Sequence, residues 1–430
     1  MLSRIREQSD RWRFRRIVLG LFRKKKESIE RIRASEVHEI VCLYCFRSFT
    51  HGEVWFRALE SLDVDGYRAN VDTVLDSYRA LFKMASAGFL PAALDTEDFR
   101  ETRKGYHKGV LVSLKDDFDN VTTIRICPFC HNDLHQSAGF SQSVIIPVAG
   151  GSSAGKSIYF TSLIHQLKSA VPKHLPCYCF ALNGEMGRRF KSDYEDPLID
   201  EGQLTDIGRD EWQDGPLVLT FSMTESDAPE INIVLFDIGN VNLAGGNLDV
   251  YASCIRQAAG VIFLVDPTNF SLVKNKVTQF DNTPGAFKME PTDALLSYVY
   301  NYIQKGDDRV SPIPIAVTLT KTDLLDAVRT DGVYLSHNSN FFTHCKHDGL
   351  FDLIGFMAID DEAASFVTDM DPGFKSLLKR SFIFQGFFAV SSLGKRPVAG
   401  SVDKIKPMRV EEPFLWLLYQ LGFLESEGSV

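Results

Sequence analysis

Residues 143–157 read SVIIPVAGGSSAGKS and decide the fold of this 430-residue chain. The first part, Ser143–Val148, is apolar and typical of a buried strand, and the last part, Gly150–Ser157, fits the pattern G-x-x-x-x-G-K-S without a mismatch. Glycines in such a turn let successive backbone N–H groups converge on phosphate oxygens, and the following helix adds the positive end of its dipole. The strand, turn and helix therefore predict a phosphate-binding loop.

Each residue of this loop has an expected role. Lys156 is expected to reach the outer phosphates and to serve catalysis, and the Ser157 hydroxyl is expected to hold Mg²⁺. The backbone of the preceding residues is expected to surround the phosphates: Gly150, Gly151, Ser152, Ser153, Ala154 and Gly155.

Three further signals follow downstream. The apolar segment Ile231–Phe236 ends in Asp237, a carboxylate that could support the Mg²⁺ shell. Thr320-Lys321-Thr322-Asp323 follows a strand predicted over Pro314–Leu319. Ser391-Ser392-Leu393 follows another, predicted over Phe382–Val390.

The tetrapeptide at Thr320 favours guanine over adenine. The Asp323 carboxylate can accept hydrogen bonds from N1–H and the 2-amino group of guanine, a donor pair that adenine lacks. A buried carboxylate left without those donors would be costly. Lys321 is expected to lay its stem over the purine face, and the backbone N–H groups of Ser391 and Ser392 could meet the guanine oxygen.

From residue 141 onward, strand patterns alternate with helix patterns, which is typical of a mostly parallel sheet covered on both faces. The remaining strands are predicted at Leu217–Phe221 and Val261–Val265. Helices are predicted from Lys156 and near Asp249–Ala259, Thr292–Ile303, Phe351–Phe356 and Phe414–Leu421. The fold class is therefore α/β.

The order of phosphate loop, strand-end Asp, T-K-x-D and S-S-L resembles the TRAFAC class of GTPases over roughly residues 143–423. The resemblance implies a three-layer GTPase sandwich that binds GTP or GDP with Mg²⁺. It implies phosphate contacts from Gly150–Ser157, a magnesium role for Asp237, and base recognition by Thr320, Lys321, Asp323 and Ser391–Ser392.

The chain departs from that family at its switch segments. The family's D-x-x-G motif is shortened to Asp237-Ile-Gly239, and Asn240 and Val241 stand where a water-orienting Gln would be expected. Thr205 is the first choice for the switch threonine and Thr220 the second, while Arg209 could reach the phosphates or be solvated. Nucleotide binding is thus better supported than fast hydrolysis, with Thr205, Asp237 and Gly239 as the catalytic residues expected beside Lys156.

Two C-x-x-C pairs precede the phosphate loop, at Cys42/Cys45 and Cys127/Cys130. Four thiolates from two such turns complete a tetrahedral Zn²⁺ site and leave no open position for chemistry. The pairs stand about 80 residues apart, so the segment between them is expected to be an insertion, with a helix near Val71–Met84. A redox role for the pairs is the rival interpretation, and His131 and His135 are alternative ligands.

The other cysteines, Cys177, Cys179, Cys254 and Cys345, are interpreted as apolar filler. The split zinc ribbon followed by G-G-S-S-A-G-K-S resembles the bacterial double-GTPase family. That resemblance implies a cytoplasmic switch, a second related GTPase as partner, and a link to prokaryotic conflict or defence systems. The predicted organisation is a basic amphipathic helix (1–35), a split zinc ribbon with an insertion (36–140) and a TRAFAC-like GTPase domain (141–430).

Charge is distributed unevenly along the chain. Residues 1–33 hold twelve Lys/Arg and four Asp/Glu, an excess of eight positive charges, so the remainder carries −17 for a chain total of −9. This arm could bind a membrane surface or nucleic acid, or pack on the acidic body. The acidic body argues against broad nucleic-acid binding by the nucleotide domain, and a peripheral membrane location is an open alternative to a purely cytoplasmic one.

The leading hypothesis is a GTP-dependent molecular switch or assembly factor that hydrolyses GTP slowly and is read by a protein partner. The shortened switch motif leaves open a nucleotide-stabilised scaffold with little or no hydrolysis. A P-loop ATPase would require the Thr320–Asp323 match to be coincidental.

Overall fold

The computed structural model describes residues 37–59, 67–82, 84–151, 154–181, 184–204, 217–223, 231–238, 248–270, 272–273, 292–304, 310–325, 335–344, 347–398 and 400–426. The predictions for residues 1–35 and for five further sites lie outside this set: Ser152, Ser153, Thr205, Arg209 and the switch residues Gly239–Val241, with Cys345 also outside. For Asp237 the backbone alone is described.

The cysteine module, which is the described part of residues 37–140, is built from short strands in four small sheets. Its helix α1, Thr73–Leu81, begins at Asp72, whose side chain accepts hydrogen bonds from the N–H groups of Val74 and Leu75. Residues 121–126 form two short strands, at Val121–Thr122 and Arg125–Ile126. The strands are β1 Ile40–Val41, β2 Ser48–Phe49, β3 Trp55–Arg57, β4 Asn70–Val71, β5 Phe89–Leu90, β6 Ala93–Leu94, β7 Lys104–His107, β8 Val110–Lys115, β9 Val121–Thr122 and β10 Arg125–Ile126.

The chain from residue 141 onward, which we call the nucleotide domain after its predicted role, contains a seven-stranded sheet. Its strands are β11 Ser143–Gly150, β12 Cys177–Ala181, β13 Leu217–Met223, β14 Ile231–Ile238, β15 Val261–Val265, β16 Ile315–Leu319 and β17 Gln385–Ala389. They lie in the order β12-β13-β14-β11-β15-β16-β17, and β13 is antiparallel to both of its neighbours while the other pairings are parallel. The predicted α/β class with a mostly parallel sheet is confirmed.

Helices cover this sheet because its strands are apolar on both faces. All five residues of β15 are buried, as parallel strands between two helical layers require. The helices are α2 Lys156–Ser169, α3 Gly184–Phe190 continued by a π-helix at Lys191–Asp200, α4 Leu248–Arg256, α5 Thr292–Gln304, α6 Leu353–Met370, α7 Pro372–Ser381 and α8 Glu412–Gln420. The helix predicted at Phe351–Phe356 is thus three times as long as expected, and β12 and the π-helix were missed.

The cysteine module packs directly on the nucleotide sheet. The ring centroid of Phe46 lies 5.3 Å from that of Phe236 on β14, and Phe82 contacts the same ring at 6.5 Å. The Asn232 side-chain amide donates to the Ser137 hydroxyl at 3.2 Å. Among the helices that the structure describes, none combines the length and apolarity needed to cross a bilayer.

Candidate nucleotide and metal sites

The phosphate loop connects the central strand β11 to α2. Lys156 is largely buried, and its Nζ donates to the carbonyl oxygens of Gly150 at 2.9 Å and Gly151 at 3.1 Å. The Ala154 N–H donates back to the Gly151 carbonyl at 3.0 Å. The described part of the loop therefore curls around the lysine ammonium group, which places a positive charge at the N-terminus of α2.

Two glycines of the loop are required by their surroundings. A Cβ on Gly150 would stand 2.9 Å from the Cβ of Leu264 and 3.0 Å from its carbonyl oxygen. Gly155 has φ of +73°, the left-handed region that side chains disfavour. The G-x-x-x-x-G spacing thus allows the loop to pass close to β15 and to enter the helix.

Asp237 lies beside this loop in the sheet. It occupies the end of β14, where its backbone pairs in parallel with Val148 on β11. The carboxyl ends of the two strands therefore meet at the same edge, as ligand sites of parallel sheets require. Thr220, the second choice for a switch threonine, lies inside β13, pairs with Asn232 and is buried in the sheet.

Asp323 and Ser391 meet at the ends of neighbouring strands. Thr320–Asp323 follows β16 and Ser391 follows β17, and the Ser391 hydroxyl donates to Asp323 Oδ1 at 2.6 Å. The Ser391 oxygen in turn accepts from the Gly394 N–H at 2.8 Å. Burial raises the pKa of Asp323, and the bond from Ser391 partly opposes that shift. The serine thus orients a carboxylate that is largely removed from water.

The two predicted halves of the site share one cavity of about 330 Å³. The Lys321 Cε lies 3.9 Å from the position that a Cβ on Gly155 would take, so the T-K-x-D segment contacts the phosphate loop. The lining residues are Ala154, Gly155, Ile158, Leu204, Thr320, Lys321, Asp323, Leu324, Ser392, Leu393, Arg396 and Pro397. Phosphate-loop and base-recognition residues therefore lie on the same side of the molecule.

Sequence reasoning missed Asp266. It follows β15, is 4% exposed, and its Oδ2 accepts from the Lys321 Nζ at 2.8 Å. Its Oδ1 accepts from the N–H and hydroxyl of Thr268, at 2.9 and 2.6 Å. Lys321 also has φ of +54°. Asp266 therefore holds the lysine in a fixed direction across the cavity, and an Asp directly after the apolar strand Val261–Val265 was the signal for it.

The four cysteines of the two C-x-x-C pairs converge in one buried cluster. Cys42 Sγ lies 3.6 Å from Cys130 Sγ, and Cys45 Sγ lies 3.7 Å from Cys127 Sγ. All four sulfur atoms are within 4.8 Å of one another. A tetrahedral Zn²⁺ with Zn–S bonds of about 2.3 Å would separate its sulfurs by about 3.8 Å. The donor set and its spacing fit zinc.

Burial and hydrogen bonding act in opposite directions on the thiols of this cluster. Burial raises the pKa of Cys42 and of Cys130, whereas hydrogen bonds from the neighbouring thiols lower the pKa of Cys45. The Phe129 N–H donates to Cys127 Sγ at 3.4 Å, and the Asn132 side-chain amide donates to Cys130 Sγ at 3.3 Å. N–H donors around the sulfurs stabilise thiolates, the form that binds a metal.

His131 and His135 have partners other than the sulfur cluster. His131 Nδ1 lies 2.9 Å from both oxygens of Asp72, and Asp72 Oδ2 also accepts from Arg57 at 2.8 Å. His135 Nδ1 lies 2.8 Å from the Ser137 hydroxyl. These contacts leave the four cysteines as the candidate metal ligands.

Comparison with known protein families finds no family model that matches the chain. Among curated proteins, the chain is similar to SaeC of Mycolicibacterium smegmatis, which is named as a proposed ESX-1 scaffolding and assembly protein. The two are 24% identical over 331 residues, which cover 70% of this chain and 81% of SaeC.

Solved structures that resemble the chain are G domains and related GTPases, at low overall superposition. The G domain of the FeoB iron transporter from T. maritima has 15% identity and a TM-score of 0.20, covering 44% of this chain and 77% of its own. Sar1 from Encephalitozoon cuniculi in complex with GDP has 12% identity and a TM-score of 0.25, and the match covers 66% of this chain and 80% of Sar1. The GTPase-like domain of Ski7 from S. cerevisiae, bound to GTP, has 12% identity and a TM-score of 0.29, and the match covers 65% of this chain and 50% of the Ski7 domain.

Proposed function

We propose that this protein binds guanine nucleotides with Mg²⁺ and acts as a slowly hydrolysing switch or assembly factor. The observation that carries the proposal is the shared cavity in which Gly155 and Asp323 both take part. A nucleotide carries its phosphates and its base on one molecule. Its site must therefore bring phosphate-binding and base-recognising residues into one cavity, as is found here.

The base would be selected by Asp323. One carboxylate can accept several hydrogen bonds, so the bond from Ser391 leaves capacity for guanine N1–H and the 2-amino group. Asp266 would keep the stem of Lys321 over one face of the purine. Lys156 and the loop N–H groups would bind the phosphates, and Ser157 with Asp237 would hold Mg²⁺, which supplies charge neutralisation at the phosphates.

Titration calorimetry with GDP and ADP tests guanine binding. We expect GDP to bind at least about 100-fold more tightly than ADP, because adenine would leave the buried Asp323 carboxylate without its donors. Equal affinities would contradict the proposal and favour a P-loop ATPase.

Asp323→Asn sharpens this test through a change of base. An asparagine amide donates where the carboxylate accepted, so it repels the guanine 2-amino group and matches the 2-oxo group of xanthine. The variant is expected to lose about 100-fold in GDP affinity and to prefer XDP. A weakened variant with no preference for XDP would point to a general folding defect.

A nucleotide-stabilised scaffold is the second candidate function. The shortened Asp237-Ile-Gly239 motif and the similarity to SaeC favour it. On this hypothesis the bound nucleotide stabilises a surface that an assembly partner or a second GTPase binds. Single-turnover hydrolysis of GTP separates the two: a rate that stays at background with and without added partner would favour the scaffold.

We infer that the cysteine module is a structural zinc site that does not catalyse. Four thiolates saturate a tetrahedral ion, and the packing of Phe46 on Phe236 connects that site to the strand of Asp237. One zinc per chain, measured by elemental analysis, is the expected result, and its absence from freshly purified protein would contradict the assignment. A membrane or nucleic-acid role for residues 1–33, and a role of the protein in conflict or defence systems, stay predictions from the sequence.

A further inference from the structure

One wall of the cavity comes from a contact between two distant segments. After Ser391 the chain leaves the sheet as a loop, residues 393–398 and 400–406, which we name the base-loop arm. Ser391 and Met408 close its base through two backbone bonds of 3.1 and 2.8 Å, and the Lys406 N–H donates to Leu393 at 3.0 Å. Arg396 and Pro397 in this arm line the cavity.

The tip of the arm is joined to the segment that follows the π-helix. The Leu204 N–H donates to the Gly400 carbonyl at 2.9 Å, and the Val402 N–H donates to the Gly202 carbonyl at 2.8 Å. Gln203 and Ser401 pair between these bonds in antiparallel fashion. We name this pairing, residues 202–204 with 400–402, the clip.

Gly202 is required for the clip. Its φ is +64°, and a Cβ there would overlap the Val402 carbonyl oxygen. Val402 is 2% exposed, so it has little freedom to move away. Any side chain at position 202 therefore separates the two segments.

We propose that the clip holds Leu204 against the bound base and thereby sets the rate of nucleotide release. Leu204 lines the same cavity as Lys321 and Asp323, and its position is fixed by the bond to Gly400. Leu204 touches the ligand, while Gly202 and Val402 are positioning residues. Release of the base breaks its contact with Leu204, and opening of the clip frees Leu204 to move away from the base.

The clip also relates the two ends of the ligand. Residues 202–204 directly precede Thr205, and the base-loop arm directly follows Ser391–Ser392. Contacts made by the base therefore fix the backbone just before the segment expected to meet the γ-phosphate. The inference rests on the proposed guanine site.

Gly202→Ala tests the clip, with Gly349→Ala as its matched control. Gly349 has a similar φ of +71°, but a Cβ there would meet nothing within 4 Å. Both variants carry the same left-handed penalty, and only Gly202→Ala opens the clip. We expect release of a fluorescent GDP to accelerate about tenfold in Gly202→Ala and less than about twofold in Gly349→Ala.

Inorganic triphosphate distinguishes a lost base contact from general damage. It occupies the phosphate loop without a base, so its competition against GDP measures that loop alone. We expect its own affinity to be unchanged in Gly202→Ala while GDP is released faster. Equal weakening of triphosphate and GDP would overturn the proposal, as would unchanged GDP release.

Leu204→Ala decides the question if Gly202→Ala does not fold. It removes the side chain but keeps the backbone bonds, and we expect GDP release to accelerate about fivefold with unchanged triphosphate binding. Unchanged release would overturn the proposal. Wild-type protein that fails to bind GDP would instead refute the guanine site itself, so the two failures are distinguishable.

Discussion

The two cysteine turns have the same pattern of backbone hydrogen bonds and differ in the residues that they contact. In the first, the Cys42 N–H donates to Arg47 and the Phe46 N–H donates to Cys42, both at 2.9 Å. In the second, Cys127 donates to Asn132 at 2.9 Å and His131 donates to Cys127 at 3.0 Å. Phe46 and His131 both have positive φ, of 58° and 54°. The two turns thus repeat one another.

The residue at the repeated positive-φ position gives each turn its own partner. Phe46 packs on Phe236 of the nucleotide sheet, whereas His131 contacts Asp72 and lies 5.2 Å from the Trp55 ring in the insertion. A bulky residue in the left-handed region is uncommon, so Phe46 indicates a contact worth the backbone cost. The sulfur cluster therefore joins the insertion to the nucleotide domain.

Removal of one cysteine ligand should disrupt both turns at once. Cys127→Ser is expected to abolish stoichiometric zinc binding and to unfold both turns, because structural zinc contributes about 10 kcal/mol or more to folding of such sites. Elemental analysis and limited proteolysis within residues 37–140 measure this. A variant that loses its zinc but keeps its protection from proteolysis would show that the metal is not structural.

Phe46→Ala should separate the first turn from the sheet. Truncation of a buried Phe costs about 3–5 kcal/mol, and Phe46 is 1% exposed. We expect a lower free energy of unfolding with zinc retained, measured by denaturant titration. Phe129→Ala is the control, since that ring lies in the other turn and is 42% exposed. Equal losses in both variants would contradict a specific role for the Phe46–Phe236 contact.

His131→Asn should remove the contact between the second cysteine turn and Asp72, with a smaller loss of stability than Phe46→Ala. Asparagine tolerates positive φ, so the turn is kept while the contact to Asp72 is lost and Arg57 still pairs with that carboxylate. The free energy of unfolding is expected to fall by about 2 kcal/mol, with GDP affinity unchanged. Reduced GDP affinity would show that this turn also acts on the nucleotide domain.

Acid should destabilise the segment that follows the second cysteine turn, through His135. Burial, with a smaller effect from Arg125, lowers the pKa of His135 to about 4. The unfolded imidazole takes a proton near pH 6.5 and the folded one does not, so stability is full above that pH and declines as pH falls toward 4. We expect about 1 kcal/mol lost between pH 6.5 and 5.5. The difference between wild type and His135→Gln measures it, and identical pH profiles would contradict it.

Local signals predicted much of the architecture. The phosphate loop, the strand before it and the two cysteine turns each depend on a few adjacent residues, so they can be recognised from the sequence alone. The helix expected at Phe351–Phe356 extends to Met370, because Asp352 caps it and its long apolar face packs on β17. Strand β12 and the π-helix were missed because pairing to β13 and packing on α2 hold them.

The sequence by itself was enough to predict the chemistry of both sites: which residues could bind phosphates, a guanine edge and a metal. Tertiary structure alone decided that Asp266 orients Lys321, that Gly202–Leu204 clips to Gly400–Val402, and that Phe46 packs on Phe236. The physical reason is distance along the chain. Each of these contacts joins segments dozens to hundreds of residues apart, and no local pattern records which distant partner completes a strand end, a turn or an apolar face.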